Sequence, residues 1–172
     1  NDNVDIEMPA GGRTVQFTCG RFQAHVNGID AEDFPPIPQV EGGPSAEVDV
    51  EALREGISRV SMAAATDESR PVLTGINTEF DGNQLTLAAA DGFRLAVYRM
   101  PLDKAVDGKT TVIIPARTLN EVNRLLGDQS EPVVITVNEQ KTQAMFKLNN
   151  AEIVTQLVQG TFPNYSQVIP SK

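Results

Sequence analysis

The chain has very few of the residues that build common covalent and metal sites: its 172 residues include one cysteine and one histidine. Because Cys19 has no second cysteine to pair with, an internal disulfide is excluded, which favours a reducing compartment. His25 has neither a second histidine nor a cysteine pair nearby, so we expect no zinc site and no histidine-based triad. Cys19 lies in the alternating run TVQFTC, which is more typical of a strand residue than of a nucleophile.

Long hydrophobic runs are also missing. No apolar stretch approaches the roughly 20 residues that span a bilayer, and the opening NDNVDIEMPAGG lacks the features of a signal peptide. We therefore predict a cytoplasmic protein with no membrane partner. The Gly-Lys-Thr of DGKTT (107–111) lacks the earlier glycine of a phosphate-binding loop, because position 103 is Asp. The carboxylates form no acid–base pair, so we expect no catalytic residue and no cofactor.

Positive charge is in deficit. There are 14 Lys and Arg against 23 Asp and Glu, which gives a net charge of −9. Such a surface repels phosphate, whereas a tight non-specific DNA binder is basic. A role on nucleic acid would therefore need locally segregated charge, or a mechanism that does not depend on affinity.

The chain does have a repeated order of elements, which begins with a three-strand segment. Residues 1–31 hold the alternating runs NVDIEM, RTVQFTC and FQAHVNGI, separated by glycine-containing turns. The following residues, 32–45, are rich in proline, glycine and acidic side chains, as a linker is. The chain also begins without methionine in what looks like a turn, which suggests a fragment.

From residue 46 the order strand, helix and three strands occurs twice. The first copy has a strand at 46–50, capped into a helix by Asp49, and then the strands VLTGINTEF, QLTLAAA and RLAVYRM, with a hairpin at Asp81-Gly82. The second has a strand at 109–115, a helix ending at Gly127, and the strands PVVITVN, TQAMFKL and EIVTQLV. The apolar stripes of the two helices are Val50, Leu53, Ile57, Val60 and Ala64, and Leu119, Val122, Leu125 and Leu126.

Phe-Pro closes a three-strand run at Phe34 and again at Phe162, so the recurrence extends beyond a dipeptide. This pattern predicts an α+β fold built from a pseudo-duplicated unit, with two amphipathic helices packed on antiparallel sheets. We expect 1–40 to be the end of a truncated first domain, 41–45 a linker, and 46–172 a complete domain.

Two features that we expect to be exposed could contact a binding partner. On the second helix, Arg117, Asn120 and Arg124 share the face opposite the apolar stripe, although an ordinary solvated face explains them equally well. Phe93 follows Asp91-Gly92 at a turn, where it is either displayed to a partner or folded back into the core.

Four stretches resemble the β subunit of bacterial DNA polymerase III, the sliding-clamp family: RPVLTGI (70–76), AADGFRLAVYRMP (89–101), VIIPARTLNEVNRLL (112–126) and GTFPNYSQVIP (160–170). The resemblance covers 46–172 as the family's middle domain and 1–40 as the end of its first. It implies a DNA-clamp fold whose helices line a ring of two chains around double-stranded DNA. A ring holds DNA topologically, so weak contacts from Arg117, Asn120 and Arg124 would suffice.

The resemblance also implies a groove for short glutamine- and leucine-containing peptides of polymerases, the clamp loader and repair proteins. Three of its positions, Ala90, Phe93 and Gln167, depart from the frequent Thr, His and Arg of the family. The implied role is a non-catalytic processivity factor that is homodimeric at full length, and we expect this piece of it to be monomeric. A stand-alone peptide-binding module without a ring is the alternative. The middle-domain wall of the groove would be Leu73, Ala90, Gly92, Phe93, Arg94, Leu95, Pro163, Gln167 and Val168.

Overall fold

Three short antiparallel strands, paired in sequence order, come first in the chain, as the alternating runs predict. They are β1 (Asp5–Glu7), β2 (Thr14–Cys19) and β3 (Phe22–Asn27). The structure, a computed structural model, describes residues 3–36, 38–127 and 129–169. The strands belong to the first of two units, Asn1–Pro38; the second is Gln39–Lys172.

The faces of this first sheet differ sharply in polarity. Ile6 is opposite Phe17, and Phe17 is opposite Ala24, so these three side chains share a face. The rest of that face is apolar too, whereas the other face carries polar residues, His25 among them. Much of the apolar face is exposed: Phe22 is 74% accessible and Ile6 63%. Its remaining members are Val15, Cys19 and Val26.

The segment predicted as a linker, 32–45, is partly ordered. A 3₁₀ turn spans Ala31–Asp33, and Asp30 caps it by accepting a hydrogen bond from the Glu32 N–H at 3.1 Å. Val40 is buried, and strand β4 (Ser45–Val48) already includes Ser45. The second unit therefore takes in residues that the composition assigned to the linker.

Two helices follow the predicted positions. Helix α1 (Val50–Val60) begins where Asp49 accepts a hydrogen bond from the Ala52 N–H at 2.9 Å. It ends earlier than the apolar stripe suggested, because a 3₁₀ turn at Ser61–Ala63 follows and Ala64 lies outside the helix. Helix α2 (Ala116–Leu125) is capped at Leu126.

The remaining strands are β5 (Gly75–Ala90), β6 (Leu95–Pro115), β7 (Val133–Val137), β8 (Gln143–Lys147) and β9 (Glu152–Gln156). One sheet has the order β4-β7-β8-β9, and β5 pairs with β6. The predicted strands 94–100 and 109–115 are thus joined in β6. The strand predicted from 72 begins only at Gly75, because Pro71–Thr74 forms a 3₁₀ turn with proline in its first turn.

Strand β5 changes direction within its length. Residues 75–81 pair with 109–115 and residues 84–90 with 95–101, with register shifts around Gly82. At about 3.3 Å per residue, a straight strand would separate Asn77 from Thr86 by roughly 30 Å, yet both line one depression. The chain therefore folds back at Asp81-Gly82, the predicted hairpin, where Gly82 has a φ of +54°.

The two copies of the repeat exchange strands. From the first copy, β4 pairs with β7 of the second, with Ala46 opposite Ile135. In return, the strand before α2 pairs with the first copy, with Ile76 opposite Ile114. Both copies consequently contribute to one continuous core, and neither can bury its apolar side chains alone.

Both helices pack their apolar stripes into that core. Leu53, Ile57 and Val122 are fully buried. Gly56 lets α1 approach the sheet closely, because a Cβ there would lie 2.6 Å from Met100 Cε. Leu125 was wrongly assigned to the stripe: it is 40% exposed, since the buried row of α2 passes through Leu126.

Candidate functional site

The turn between β5 and β6 contains three of the predicted groove residues, with two more at its ends, and one carboxylate holds it in place. Asp91 Oδ1 accepts hydrogen bonds from the N–H groups of Phe93 at 2.9 Å and Arg94 at 3.0 Å. Its Oδ2 accepts from Arg94 Nε at 2.8 Å. These bonds, the Phe93 N–H first, lower the pKa of Asp91 to about 2. With Gly92 at a φ of +95°, the turn brings Ala90 opposite Leu95.

This turn displays its aromatic side chain. Phe93 is 97% exposed, so it is presented to solvent and does not fold back into the core. Leu95 beside it is half-buried, and the Arg94 guanidinium is engaged by Asp91. The turn therefore combines an accessible apolar side chain with a cation whose charge is partly balanced.

Leu73 is tied to the same turn through a residue that sequence reasoning missed. It is half-buried in the 3₁₀ turn Pro71–Thr74, and its carbonyl accepts from the Ala65 N–H at 2.8 Å. Arg70, just before this turn, donates from Nη2 to the Asp91 carbonyl at 3.4 Å. Arg70 Nη1 would lie 3.2 Å from a Cβ placed on Gly92. The arginine thus joins Leu73 to the turn at 91–94.

Pro163, Gln167 and Val168 lie on an irregular segment after β9. All three are exposed, Val168 to 68%. The segment starts alongside β6, where the Val158 N–H donates to the Ile113 carbonyl at 2.9 Å. It then passes Val72, whose Cγ2 would be 2.7 Å from a Cβ on Gly160.

The structure therefore brings the predicted residues together as two sets. Leu73 and residues 90–95 form one set, joined through Arg70. The segment 163–168 forms the other, and Val72 connects its start to the neighbourhood of Leu73. Within the described residues, no hydrogen bond or ion pair joins Pro163, Gln167 or Val168 directly to the first set. Both sets offer apolar and amide surface, which suits peptide binding rather than acid–base chemistry.

The predicted DNA-facing residues lie on one exposed face of α2. Arg117 and Asn120 are exposed, and Arg124 forms an ion pair with Glu121 at 2.9 Å. Within the described parts of the chain, Arg117 has no ion-pair partner. The face therefore carries one uncompensated and one partly compensated positive charge.

The neighbouring face of α1 is electrically balanced. Arg54 pairs with Glu51 at 3.0 Å, and Arg59 pairs with Glu55. Arg54 also donates to the Leu126 carbonyl at the end of α2. The cations of α1 are thus committed to internal contacts, whereas Arg117 of α2 remains available to an anionic partner.

The described residues contain no group of three or more His, Cys, Asp or Glu side chains placed to hold a metal ion. They also contain no helix with the length and apolar character required to cross a membrane.

Comparison with known proteins places the chain in a family. The model of the DNA polymerase III beta subunit, central domain, matches residues 47–164. The chain belongs to this family. The match confirms the resemblance read from the four sequence stretches and assigns residues 47–164 to the family's central domain.

Relatives within the family carry the name Beta sliding clamp. The one from Bacillus subtilis is 33% identical over 167 residues, which cover 97% of this chain and 43% of the relative. The one from Synechocystis sp. is 36% identical over 181 residues, with 97% and 46% covered. The chain thus spans about half the length of the relatives it matches.

Solved structures give the same result for the fold. The DNA polymerase sliding clamp from Bacillus subtilis superposes with a TM-score of 0.83 at 31% identity, covering 98% of this chain and 44% of that one. The DNA polymerase III subunit beta from Pseudomonas aeruginosa gives 0.82 at 27% identity, with 99% and 46% covered. The predicted α+β clamp fold is confirmed.

Proposed function

We propose that the chain is the central domain of a ring-shaped sliding clamp, with one wall of a peptide-binding groove and one stretch of the DNA channel. In this role it catalyses no reaction: the ring keeps a replicative polymerase on DNA and docks clamp-loader and repair proteins. The observation that carries the proposal is the central-domain match over residues 47–164. Its setting would be the cytoplasm, at the replication fork, in a homodimeric ring.

The geometry of the first groove set supports peptide binding. Leu73 and Leu95 are half-buried apolar side chains on rigid supports, one in a hydrogen-bonded 3₁₀ turn and one after the Asp91 turn. A preorganised wall loses little entropy when a ligand docks. Burying a leucine-sized side chain there contributes roughly 1.5–3 kcal/mol. One wall alone should therefore hold a peptide only weakly, with a Kd of about 0.1 mM or above.

The charge distribution supports a topological role on DNA. A net charge of −9 opposes tight binding to phosphate, while Arg117 and Arg124 place positive charge on one helix face. In a closed ring such a face needs only to screen the backbone while the protein slides. The chain by itself would be monomeric and should bind duplex DNA negligibly at physiological salt. Submicromolar duplex binding by this chain would contradict the topological account.

The groove is tested by titrating the ¹⁵N-labelled chain with a short peptide that contains one glutamine and two leucines. Amide shifts should be confined to Leu73, residues 90–95 and residues 163–168. Leu95→Asp should abolish them, because an unpaired carboxylate would be desolvated against apolar surface.

The matched control is Val134→Asp, which places the same charge at a half-buried apolar site on the other sheet. It should leave the titration unchanged, and the spectrum of each free variant reports whether it is folded. Peptide-induced shifts elsewhere, or shifts that survive in folded Leu95→Asp, would overturn the groove.

A further inference from the structure

The segment with Pro163, Gln167 and Val168 has two side chains that turn inward. Phe162 and Tyr165 are half-buried, whereas Pro163, Asn164 and residues 166–169 are exposed. The two rings lie 6.2 Å apart, edge to face. They attach an otherwise exposed segment to the sheet.

Tyr165 reaches the face of β5 and β6 that points away from the helices. It lines a polar depression on this face with Asn77, Glu79, Arg99 and Lys109. Lys109 forms ion pairs across the two strands: its Nζ lies 2.9 Å from Glu79 Oε2 and 3.6 Å from Asp81 Oδ2. The ring therefore docks on a patch that β5 and β6 already hold in place.

The hydroxyl of Tyr165 stays protonated at this site. Burial raises its pKa, and the negative charge of Glu79 raises it further. Arg99, Lys109 and the side chain of Asn77 lower this pKa, but their effects are smaller. Asn77 is only 5% exposed, so the floor of this depression is largely shielded from solvent.

The last residues of the segment are bonded to the anchor itself. The Val168 N–H donates to the Tyr165 carbonyl at 3.0 Å, which closes a turn around Ser166 and Gln167. The Ser166 N–H donates to Asn164 Oδ1 at 3.1 Å. A displacement of Tyr165 therefore displaces Gln167 and Val168 with it.

We propose that Tyr165 is the positioning residue of the second groove wall. Its ring and hydroxyl, seated on Asn77 and the Glu79–Lys109 pair, set where Pro163, Gln167 and Val168 stand. The inference rests on the proposed groove, since it explains how an irregular segment presents a defined surface to a peptide. Tyr165 acts through Gln167 and Val168 and does not itself contact the peptide.

The test uses Tyr165→Phe, which keeps the ring and removes the hydroxyl, and Tyr165→Ala, which removes both. The control is Tyr98→Phe: Tyr98 is the other tyrosine of the chain, and its hydroxyl donates to Glu55 on α1 at 2.7 Å. Three quantities are measured: the peptide Kd, the midpoint of thermal unfolding, and the heteronuclear NOE of the Gln167 and Val168 amides in the free chain.

Tyr165→Phe should raise the peptide Kd about three- to tenfold, because the ring then sits in the polar depression without its hydroxyl and holds the segment less firmly. The heteronuclear NOE of Gln167 and Val168 should fall, and should fall further in Tyr165→Ala, while the unfolding midpoint stays within error for Tyr165→Phe. Tyr98→Phe should change neither the Kd nor the NOE. A lower NOE at Gln167 and Val168 with an unchanged unfolding midpoint indicates that Tyr165 positions the segment. A lower midpoint would instead indicate a general contribution to stability.

Each outcome bears on a different claim. If the wild-type chain binds the peptide and both Tyr165 variants bind it equally well, the positioning role is overturned while the groove stands. If the wild-type chain binds no peptide, the proposed peptide-binding groove is overturned. The NOE of Gln167 and Val168 in the free chain then decides the positioning role by itself. Unchanged order at Gln167 and Val168 in Tyr165→Phe and Tyr165→Ala would then overturn it.

Discussion

The chain contains two three-strand meanders, β1–β3 and β7–β9, with the same topology and very different surroundings. Both are antiparallel, paired in sequence order and built from alternating sequence. In β7, Val133, Ile135 and Val137 are buried in the core. In β1–β3 no described residue is buried, and all of β3 is exposed.

The difference shows that strand pairing and burial are encoded separately. Alternation and glycine turns suffice to define the pairing of β1–β3, down to the register of Val15 opposite Val26. Burial requires a second layer, and α1 and α2 provide it within the second unit. Among the described residues, the first unit has only the 3₁₀ turn Ala31–Asp33 in addition to its strands.

The largest expected contrast is between matched phenylalanines of the two meanders. Phe146 of β8 is fully buried, so Phe146→Ala should lower the free energy of unfolding of the second unit by about 3–5 kcal/mol. Phe22 of β3 is 74% exposed, so Phe22→Ala should change stability by less than about 0.5 kcal/mol. Urea unfolding measures both. Equal losses would show that the first meander is packed after all.

A smaller effect should follow from loosening the helix layer itself. Arg54 donates from α1 to the Leu126 carbonyl at the end of α2, where a positive charge also complements the helix dipole. Arg54→Ala should cost about 1–2 kcal/mol. The control Arg59→Ala removes a surface ion pair with Glu55 and should cost below about 1 kcal/mol. If urea unfolding shows equal losses of stability for the two variants, the contact between Arg54 and the Leu126 carbonyl stabilises the fold no more than a surface ion pair does.

The exposed apolar face of β1–β3 should be detectable directly with a hydrophobic dye. Phe22→Lys places a charge on that face and should reduce dye fluorescence and any self-association. Gln23→Lys adds the same charge on the polar face, one residue away, and should change neither. Equal reductions by both variants would attribute the signal to net charge and not to the apolar face.

The smallest expected effect is the pH response of the Asp91 turn. The folded pKa of Asp91 is about 2, below its ordinary 3.8, so its contribution is present above about pH 4 and lost as the pH falls through 2. The amides of Phe93 and Arg94 should titrate with the carboxyl in NMR spectra, whereas the Gly20 turn of the first meander, at a φ of +59°, should not follow that curve. Asp91→Asn should remove the transition. A carboxyl pKa near 4 would mean that the turn is not held in this way.

Most of the fold was predictable because its signals are local. Alternation defined the strands, Asp49 marked the start of α1, and Asp81-Gly82 marked a reversal. Two errors came from competition between local patterns. Pro71 set a 3₁₀ turn where a strand was expected, and Leu125 fell just outside the buried row of α2.

The candidate site was less accessible from sequence, since its connections are long-range. Nothing in the local pattern around Arg70 distinguishes it from other arginines. Its importance appears only when the chain places it beside the Asp91 carbonyl. Tyr165 is similar, because its partners Asn77, Glu79 and Lys109 come from two different strands.

The central claim is that the chain carries one wall of a clamp's peptide groove, and cross-linking tests it most directly. A glutamine- and leucine-containing peptide with a photoreactive group at one leucine would be irradiated with the chain and the products mapped by mass spectrometry. The account predicts adducts at Leu73, at residues 90–95 and at Pro163, Gln167 or Val168, and their loss in Leu95→Asp. Adducts concentrated on the exposed apolar face of β1–β3, around Phe22 and Val26, would contradict it.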